Sequence, residues 1–313
     1  MAKTDTPKNL LILIDGHAIV HRSFHAIQRP LTVSNTGEDV RGVYGFTNAF
    51  IKSINDWNPS HVAITFDLPK PTFRHKMFDE YKAHRPPTPP ELRGQFDKVR
   101  DLMRAFNVPI YELEGFEADD LLGTLSKQAE SKNLDTLILT GDSDTLQLVA
   151  ETIHVYMSGS NQKKSLYDID AVRERFDGLG PEYVPEIKAL QGDSSDNIPG
   201  VPGIGIKTAI KLLKQFGSIE NIYSNIDSIT PPKAQKSLIE NKDLLSRSIN
   251  LTKIVTDVPI QLDLETTKFG DFNSDDVIKF LKELEFNSII PKLSNIDPTQ
   301  DSLEEIQTSL IPK

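Results

Sequence analysis

The sequence has no cysteine among its 313 residues, and it has no long hydrophobic run. Without cysteine the chain can form neither a disulfide nor a zinc–thiolate site, and it has no cysteine nucleophile. Its apolar runs are much shorter than the roughly 20 residues that span a membrane. The first eight residues contain no apolar segment of the kind that a signal peptide needs. These absences favour a cytoplasmic protein in a reducing compartment.

The chain also lacks the excess of basic residues that is common in nucleic-acid-binding proteins. It carries 45 acidic and 35 basic residues, which gives a formal net charge of −10. The hydrophobic fraction of 38% and the charged fraction of 26% are those of a globular protein. The length suits one large domain or two modest ones. The acidic total excludes little by itself, because the local distribution of charge decides which partner a surface attracts.

Three apolar segments of the chain are each followed by an acidic residue. Each segment is rich in Leu, Ile, Val or Thr and is typical of a buried strand in a parallel sheet. The segments are Leu10–Ile14 followed by Asp15, His61–Phe66 followed by Asp67, and Thr136–Thr140 followed by Gly141 and Asp142. Ligands bind at the carboxyl ends of parallel strands, so we expect the three carboxylates at one edge of one sheet.

Six more carboxylates are candidates for the same site. Glu117 and Asp120 share one face of a predicted helix, and Asp119 lies one step around it. Asp193 and Asp196 lie in a loop that is rich in turn-forming residues. The full set of nine candidate ligands is Asp15, Asp67, Glu117, Asp119, Asp120, Asp142, Asp144, Asp193 and Asp196.

This set of nine carboxylates predicts a site for hard divalent cations. Carboxylates that are brought together repel each other, so a fold that gathers them needs a compensating cation. Mg²⁺ and Mn²⁺ prefer oxygen ligands, and two or more such ions are the expected cofactors. A single Asp after a strand is commonly a turn or N-cap residue. Capping does not explain three strands that end alike beside an acidic helix start.

A basic segment rich in proline precedes the acidic helix. The stretch from Lys70 to Arg104 contains nine basic and five acidic residues. Prolines interrupt regular structure in its first part, so we expect an arch or a flexible loop at residues 70–90. The segment can face phosphate groups, and an ordinary solvated surface is the alternative interpretation.

A second basic segment is typical of a helix–hairpin–helix element. Gly203 and Gly205 form a tight turn that opens a helix, and glycine there lets the backbone approach a ligand closely. Lys207 and Lys211 follow at helical spacing. The first N–H groups of such a helix favour an anion such as a DNA phosphate, which is bound without reading the base sequence.

The order of the elements predicts an α/β fold class. Strands and helices alternate through the first two-thirds of the chain, which indicates a central, mostly parallel sheet flanked by helices. We expect a metal-binding core at residues 1–170 that includes the arch at 70–90. A helical region with the hairpin is expected at 171–296, and residues 297–313 have the polar composition of a linker or tail.

Eight motifs together resemble the 5′-nuclease domains of bacterial DNA polymerase I, within the flap endonuclease superfamily. They extend through nearly the whole chain, and their combination is highly specific although no single motif is. The motifs are Leu-Ile-Asp15-Gly-His-Ala, Arg41-Gly-Val-Tyr-Gly-Phe, Phe66-Asp67, Phe73-Arg74-His, Tyr81-Lys82-Ala-His-Arg85-Pro-Pro, Gly115-Phe-Glu117-Ala-Asp119-Asp120, Thr140-Gly-Asp142-Ser-Asp144 and Gly192-Asp193-Ser-Ser-Asp196-Asn-Ile-Pro-Gly-Val-Pro-Gly-Ile-Gly205.

The resemblance implies a PIN-like core, a helical arch that passes a 5′ single strand, and two metal groups. The first group would comprise Asp15, Asp67, Glu117, Asp119 and Asp120, and the second Asp142, Asp144, Asp193 and Asp196. The implied catalytic and phosphate-contacting residues are Arg22, Lys82 and Arg85, with Tyr81 beside them. The implied DNA-binding residues are Phe73, Arg74, Gly203, Gly205, Lys207 and Lys211, with K⁺ held by carbonyls of the hairpin.

These features predict a divalent-metal-dependent 5′-3′ exonuclease and flap endonuclease that hydrolyses DNA phosphodiesters in replication and repair. The expected partners are DNA with a 5′ flap, nick or free 5′ end, and a polymerase domain in a longer chain, and we expect a monomer. One alternative is a PIN-type ribonuclease, which usually lacks the hairpin and the proline-rich arch. Another is a non-catalytic DNA-binding module, which needs no clustered acids. A haloacid dehalogenase phosphatase needs a second Asp two residues after the first, where this chain has His17.

Overall fold

The computed structural model describes residues 8–157 and 166–296 of the chain. The chain divides into two compact units. The first unit contains Met1–Phe66, Thr88–Tyr111 and Leu262–Lys313, and the second contains Asp67–Pro87 and Glu112–Gln261. The predicted linker at 297–313 lies outside the described residues, as do the first two residues of a short strand that the sequence predicts at 164–167.

Six β-strands occur in the described residues. In chain order they are β1 (Lys8–Asp15), β2 (Pro59–Thr65), β3 (Ile110–Tyr111), β4 (Asp135–Thr140), β5 (Ile153–Met157) and β6 (Leu166–Tyr167). Within the first unit, β2 lies between β1 and β3 and pairs with both in parallel. Within the second unit, β5 pairs with β4 in parallel and with β6 in antiparallel orientation. The strands of each unit are therefore mostly parallel, as the sequence predicts.

Twelve α-helices and four 3₁₀ segments complete the described parts of the chain. The helices are α1 (Gly16–Ala26), α2 (Arg41–Trp57), α3 (Phe73–Met77), α4 (Pro90–Ala105), α5 (Ala118–Ser131), α6 (Ile169–Arg175), α7 (Val184–Gln191), α8 (Ile206–Phe216), α9 (Ile219–Ser224), α10 (Pro232–Glu240), α11 (Lys242–Thr252) and α12 (Ser274–Glu283). The 3₁₀ segments are Ser143–Leu148, Pro181–Tyr183, Ile226–Ser228 and Ile290–Asn295. None of these helices is long and apolar enough to cross a membrane.

The core of the first unit forms because apolar residues occupy the centre of β1 and one face of α2. Leu11–Ile14 of β1 have no exposed surface, as expected for a strand buried on both faces. Phe46 and Phe50 of α2 recur at helical spacing and are buried, and the Phe50 ring meets Phe106 edge to face at 5.0 Å. This core holds Asp15 at the carboxyl end of β1, where its side chain accepts a hydrogen bond from the N–H of Ala18 and caps α1.

The N-terminus of α2 is capped by a side chain of α4. Gln95 has no exposed surface, and its Oε1 accepts hydrogen bonds from the N–H groups of Gly42 and Val43 at 2.7 and 3.2 Å. The first N–H groups of a helix have no partner within the helix, so Gln95 satisfies two of them. A Cβ atom at Gly42 would lie 2.7 Å from this oxygen, which explains why a glycine stands there.

The second unit contains a closed loop that fixes two of the candidate carboxylates. Asp193 and Ile198 exchange two backbone hydrogen bonds of 2.8 Å across the loop. Gly192 permits the closure because its φ is 82°, and a Cβ atom there would lie 2.6 Å from the nitrogen of Gly200. The loop thus presents Asp193 and Asp196 on a short, rigid turn, and both are largely buried.

The three strand segments that the sequence predicts agree closely with β1, β2 and β4. After Asp142 the chain continues as a 3₁₀ segment at Ser143–Leu148. The segment predicted as an arch contains the short helix α3, and turns follow it. The structure buries the large side chains of Arg74 and Tyr81 in that segment, each with 3% of its surface exposed. Their burial connects this segment to the acidic residues of the same unit.

Candidate metal centre

Eight of the nine candidate carboxylates lie in the second unit, and contacts between their elements bring them together. We call these eight residues the acidic cluster: Asp67, Glu117, Asp119, Asp120, Asp142, Asp144, Asp193 and Asp196. The ninth, Asp15, lies at the end of β1 in the first unit and is 4% exposed. The place of Asp15 in a metal site stays a prediction.

The N-terminus of α5 attracts three members of the acidic cluster. The N–H of Ala118 donates to Asp67 Oδ1 at 2.8 Å, and the N–H of Glu117 donates to Asp120 Oδ2 at 3.1 Å. The carboxylate of Glu117 in turn caps the first turn of α5. The unsatisfied N–H groups and the positive end of the helix dipole stabilise negative charge at this point. Local structure therefore explains how the chain tolerates these acids side by side.

A buried arginine joins the carboxylates of α5 to α3. The Arg74 guanidinium of α3 donates to both oxygens of Asp120 at 2.7 and 2.8 Å, and to Glu117 Oε2 at 3.2 Å. It also donates to the carbonyl oxygens of Leu251 and Lys253 at 3.0 and 2.8 Å. Burial by itself would lower the pKa of Arg74, but Asp120 and Glu117 outweigh that effect and raise the pKa. The guanidinium is thus held permanently charged in a fully bonded position.

Tyr81 and Lys82 connect Glu117 with Asp196. The Tyr81 hydroxyl lies 3.0 Å from Glu117 Oε2 and 3.1 Å from Asp196 Oδ2, so two carboxylates share its single proton. Burial, followed by the charges of Glu117 and Asp196, raises the pKa of Tyr81, which keeps the hydroxyl protonated. Lys82 Nζ donates to Glu117 Oε1 at 2.9 Å and lies 3.8 Å from Asp196 Oδ2.

The backbone at Lys82 directs this segment toward Asp196. Lys82 has a φ of 58°, which is uncommon for a residue with a side chain, and its N–H donates to the carbonyl oxygen of Asp196 at 2.9 Å. Arg85 follows one turn later and donates from Nη2 to Asp196 Oδ1 at 2.5 Å. The Arg85 side chain is 47% exposed, so this guanidinium is the most accessible cation of the group.

The remaining carboxylates are joined by Lys188 of α7. Its Nζ lies 2.5 Å from Asp144 Oδ1 and 2.5 Å from Asp193 Oδ2. Burial and the nearby Asp142 raise the pKa of Asp144 to about 7, against the opposing effect of Lys188. Burial would also raise the pKa of Asp193, but hydrogen bonds from Lys188 and Ser195 outweigh it and lower the pKa to about 2. The two carboxylates therefore differ in their affinity for protons although they share one counterion.

The donor set of the acidic cluster fits hard divalent cations. Every candidate ligand supplies a carboxylate, which is the ligand that Mg²⁺, Mn²⁺ and Ca²⁺ prefer. Within this unit four cationic side chains contact the cluster, so the carboxylates outnumber these cations two to one. The four are Arg74, Lys82, Arg85 and Lys188.

In the described parts of the chain, no group of three or more His, Asp or Glu side chains has the geometry to hold an ion. Lys188 and Lys82 each lie between two carboxylates instead. A divalent ion would have to displace an ammonium group from the same oxygens.

The hairpin residues predicted to bind DNA lie at the surface of the second unit. Gly203 has a φ of 82°, and a Cβ atom at Gly203 or Gly205 would meet nothing within 4 Å. Gly205 is the N-cap residue of α8, and Lys207 and Lys211 are exposed on that helix. The open space above the two glycines leaves room for another backbone, such as that of a nucleic acid, to approach the first turn of α8.

Three predicted site residues have surroundings that the sequence did not indicate. Arg74 is predicted to contact DNA, whereas its guanidinium is buried and bonded to two carboxylates and two carbonyl groups. Phe73 is half-buried and packs near Phe116, with the ring centroids 5.9 Å apart. Arg22 lies half-buried on α1 of the first unit. These placements describe surroundings, and the roles of Phe73 and Arg22 stay predictions.

Sequence reasoning missed Lys188 and Ser195. Ser195 Oγ lies 2.5 Å from Asp193 Oδ1 and 3.5 Å from Asp196 Oδ1, so it connects the two loop carboxylates. Ser195 belongs to the Gly192–Gly205 motif, but a serine between two acids carries no signal of its own. Lys188 is five residues before Asp193 on a helix. Only the spatial approach of Asp144 reveals its second contact.

Two family models match this chain. Residues 10–177 match the N-terminal resolvase-like domain of 5′-3′ exonucleases, and residues 179–275 match their C-terminal SAM fold. The fold and the site together define a class of protein in which an α/β domain with an acidic cluster is followed by a helical domain. The chain belongs to the 5′-3′ exonuclease family. This confirms the fold class that the sequence predicts and the family that its motifs indicate.

The curated relatives include bacterial DNA polymerases. The chain is 43% identical over 293 residues to DNA polymerase I of Chloroflexus aurantiacus, which covers 92% of this chain and 31% of that protein. It is 40% identical over 311 residues to DNA polymerase I of Bacillus subtilis, covering 98% of this chain and 35% of that protein. The chain thus spans about a third of the length of these relatives.

Solved structures share the fold at low sequence identity. T5 5′-exonuclease, solved with divalent zinc ions bound, has a TM-score of 0.65 and 21% identity, covering 88% of this chain and 98% of that one. The catalytic core of Rad2 in complex with DNA substrate has a TM-score of 0.61 and 19% identity, covering 93% and 92%. At these identities the likeness establishes the fold alone.

Proposed function

We propose that this chain is a divalent-metal-dependent 5′-nuclease that degrades DNA from 5′ ends and cuts 5′ flaps at the junction with duplex. The observation that carries the proposal is the acidic cluster, in which largely buried carboxylates from three separate segments are linked by Arg74, Tyr81, Lys82 and Lys188. Such a concentration of buried charge costs stability unless cations compensate it. Membership in the 5′-3′ exonuclease family supports the same reaction class.

The proposed ions, Mg²⁺ or Mn²⁺, would be held in two groups. Asp67, Glu117, Asp119 and Asp120 would serve the first, and Asp142, Asp144, Asp193 and Asp196 would serve the second. When bound, divalent cations of this kind polarise a scissile phosphate and lower the pKa of water. The DNA-bound and metal-bound relatives support a DNA substrate and a divalent cofactor.

The cationic side chains of the cluster have a distinct role in this proposal. Lys82 and Arg85 exchange their carboxylate partners for the non-bridging oxygens of the scissile phosphate, where they offset the charge that develops in the reaction. Arg85 is suited to two parallel hydrogen bonds because its guanidinium is planar and half-exposed. Tyr81 keeps its proton and positions Glu117 and Asp196 from the buried side.

The hairpin before α8 would hold the duplex part of the substrate. Its exposed lysines and the N-terminal end of α8 suit a phosphate backbone. K⁺ bound by hairpin carbonyls is part of the same proposal. We also propose that the chain acts as a monomer and that a polymerase domain follows it in a longer protein, which its coverage of a third of DNA polymerase I supports.

A cleavage assay tests this function directly. A DNA duplex with a 5′-labelled single-stranded flap is incubated with the chain in Mg²⁺, in Mn²⁺ and in EDTA. We expect cuts near the junction and from a free 5′ end, with 5′-phosphate and 3′-hydroxyl products, only when a divalent ion is present. Cleavage of single-stranded RNA in preference to the flap would favour the ribonuclease alternative. Binding of the flap without cleavage in either metal would favour the non-catalytic module.

Replacing Lys207 with glutamate is expected to weaken duplex binding and its salt dependence. The change removes a positive charge beside the first turn of α8, so fewer counterions are released on binding. The slope of log K against log salt should decrease by about 1. Fluorescence anisotropy at several salt concentrations measures the slope. Lys127→Glu on α5 is the control, and an equal loss in both variants would remove the hairpin from the DNA-binding surface.

A further inference from the structure

Lys188 occupies the position between two carboxylates of the second proposed metal group. Its Nζ is 2.5 Å from Asp144 Oδ1 and 2.5 Å from Asp193 Oδ2, and its side chain is 19% exposed. A compact cation therefore contacts one oxygen of each of two residues that the second proposed metal group would use.

One of the two carboxylates is held in place independently of Lys188. Asp193 Oδ1 accepts hydrogen bonds from the N–H and the Oγ of Ser195 at 2.8 and 2.5 Å. The N–H of Asp144 donates to Asp142 Oδ1 at 2.9 Å, which fixes the backbone of Asp144. The lysine is thus a counterion between two acids, and Asp193 and the backbone of Asp144 keep these hydrogen bonds when the lysine withdraws.

The ammonium group is charged and partly accessible, so it can exchange with another cation. Burial would lower the pKa of Lys188, but Asp144 and Asp193 outweigh that effect and raise it. Lysine has a flexible four-carbon stem that can move its charge without moving α7. Arg74, by contrast, is 3% exposed and bonded on every side, so it cannot serve in the same way.

We propose that Lys188 is a built-in competitor for the second divalent ion. Its ammonium neutralises Asp144 and Asp193 in the ion-free protein and must swing away when the ion binds. The lysine thereby stabilises the ion-free fold and raises the concentration of metal that the second group needs. This inference rests on the proposed function, because it assigns a regulator to the same metal centre.

A metal titration tests the competition. Free Mn²⁺ is measured by its electron paramagnetic resonance signal in wild-type protein, Lys188→Met, Lys188→Arg and the control Lys127→Met, without DNA. Methionine keeps the length and volume of the stem but removes the charge. An opposite charge at this distance shifts an equilibrium by one or more powers of ten, so Lys188→Met should bind the weaker ion at least about tenfold more tightly. Lys188→Arg should bind it no more tightly than the wild type, and Lys127→Met should match the wild type.

Thermal unfolding in EDTA and in Mn²⁺ provides a second readout. Lys188→Met should melt below the wild type in EDTA, because Asp144 and Asp193 then repel each other without a counterion. Mn²⁺ should raise its melting temperature more than it raises that of the wild type, because stabilisation by a ligand grows with affinity. Equal Mn²⁺ affinity in Lys188→Met and wild type, or weaker affinity in the variant, would overturn the inference and make Lys188 purely structural.

The result can be separated from the test of the proposed function. Flap cleavage by the wild type with Lys188→Met showing unchanged metal affinity would overturn only the role of Lys188. Wild-type protein that binds no Mn²⁺ and cuts no flap would overturn both. If Lys188→Met does not fold, Lys188→Arg provides the test instead. Its bulkier guanidinium should lower the affinity for the second ion relative to the wild type. Tighter binding of that ion by Lys188→Arg would contradict the proposal that Lys188 competes with it.

Discussion

Asp67→Asn is expected to reduce flap cleavage by at least about a thousandfold while binding of the same DNA persists. Asn retains the oxygen that accepts the N–H of Ala118 at the start of α5, so the local structure should be preserved. The substitution removes one negative charge from the first proposed metal group. A metal ion contributes several kcal/mol of stabilisation to a transition state of this kind, and each 1.4 kcal/mol is a factor of ten in rate.

A matched control separates loss of a ligand from loss of a helix cap. Asp168 caps α6 by accepting the N–H of Ala171 at 2.7 Å, so Asp168→Asn makes the same chemical change at another helix start. Single-turnover cleavage rates and anisotropy titrations of both variants give the comparison. A cleavage rate for Asp67→Asn within tenfold of the wild-type rate at saturating Mg²⁺ would show that Asp67 is not a metal ligand.

The strand-end carboxylates could be predicted because their signal is local. Asp67 and Asp142 each follow an apolar strand, and the rule that parallel sheets bind ligands at their carboxyl ends needs only the order of residues. The acidic residues at the start of α5 could be predicted in the same way, because Asp and Glu are favoured where helix N–H groups lack partners. These patterns are set by residues within a few positions of each other, so a single sequence contains them.

The counterions could not be predicted because their partners are distant in the chain. Arg74 lies in a basic, proline-rich segment, which favours a surface role, yet it bonds to the carbonyl of Leu251, 177 residues away. In the sequence Lys188 is an ordinary polar residue of α7, and only the tertiary structure shows its ion pair with Asp144. Gln95 similarly caps a helix by accepting a hydrogen bond from Gly42, 53 residues earlier. Only tertiary contacts decide which of many lysines, arginines and glutamines are buried with a partner.

Among the variants described above, removing the charge of Arg74 is expected to cause the largest decrease in the free energy of unfolding. Arg74→Met keeps an apolar stem of similar length but leaves Asp120, which has no exposed surface, and Glu117 without their buried cation. Breaking a buried ion pair by removing one partner costs about 3–5 kcal/mol, because the remaining charge is left uncompensated. Urea unfolding in EDTA, followed by circular dichroism, measures this loss without any contribution from bound metal.

The pH dependence distinguishes an unpaired charge from simple loss of packing. In Arg74→Met the buried carboxylates lose the cation that compensates their charge, and a neutral carboxyl group is buried at a lower cost than a charged one. The stability deficit should therefore be smallest near pH 5 and grow as the pH rises toward 8.

Arg104→Met is the matched control, because Arg104 pairs with Asp101 at 2.7 Å but both side chains are more than half exposed, and it should lose at most about 1 kcal/mol. A deficit that is equally large at both pH values would mean that Arg74 stabilises the unit through its packing. Arg74→Lys restores the charge but not the planar guanidinium group. Partial recovery of stability in Arg74→Lys would therefore show that the charge itself is responsible.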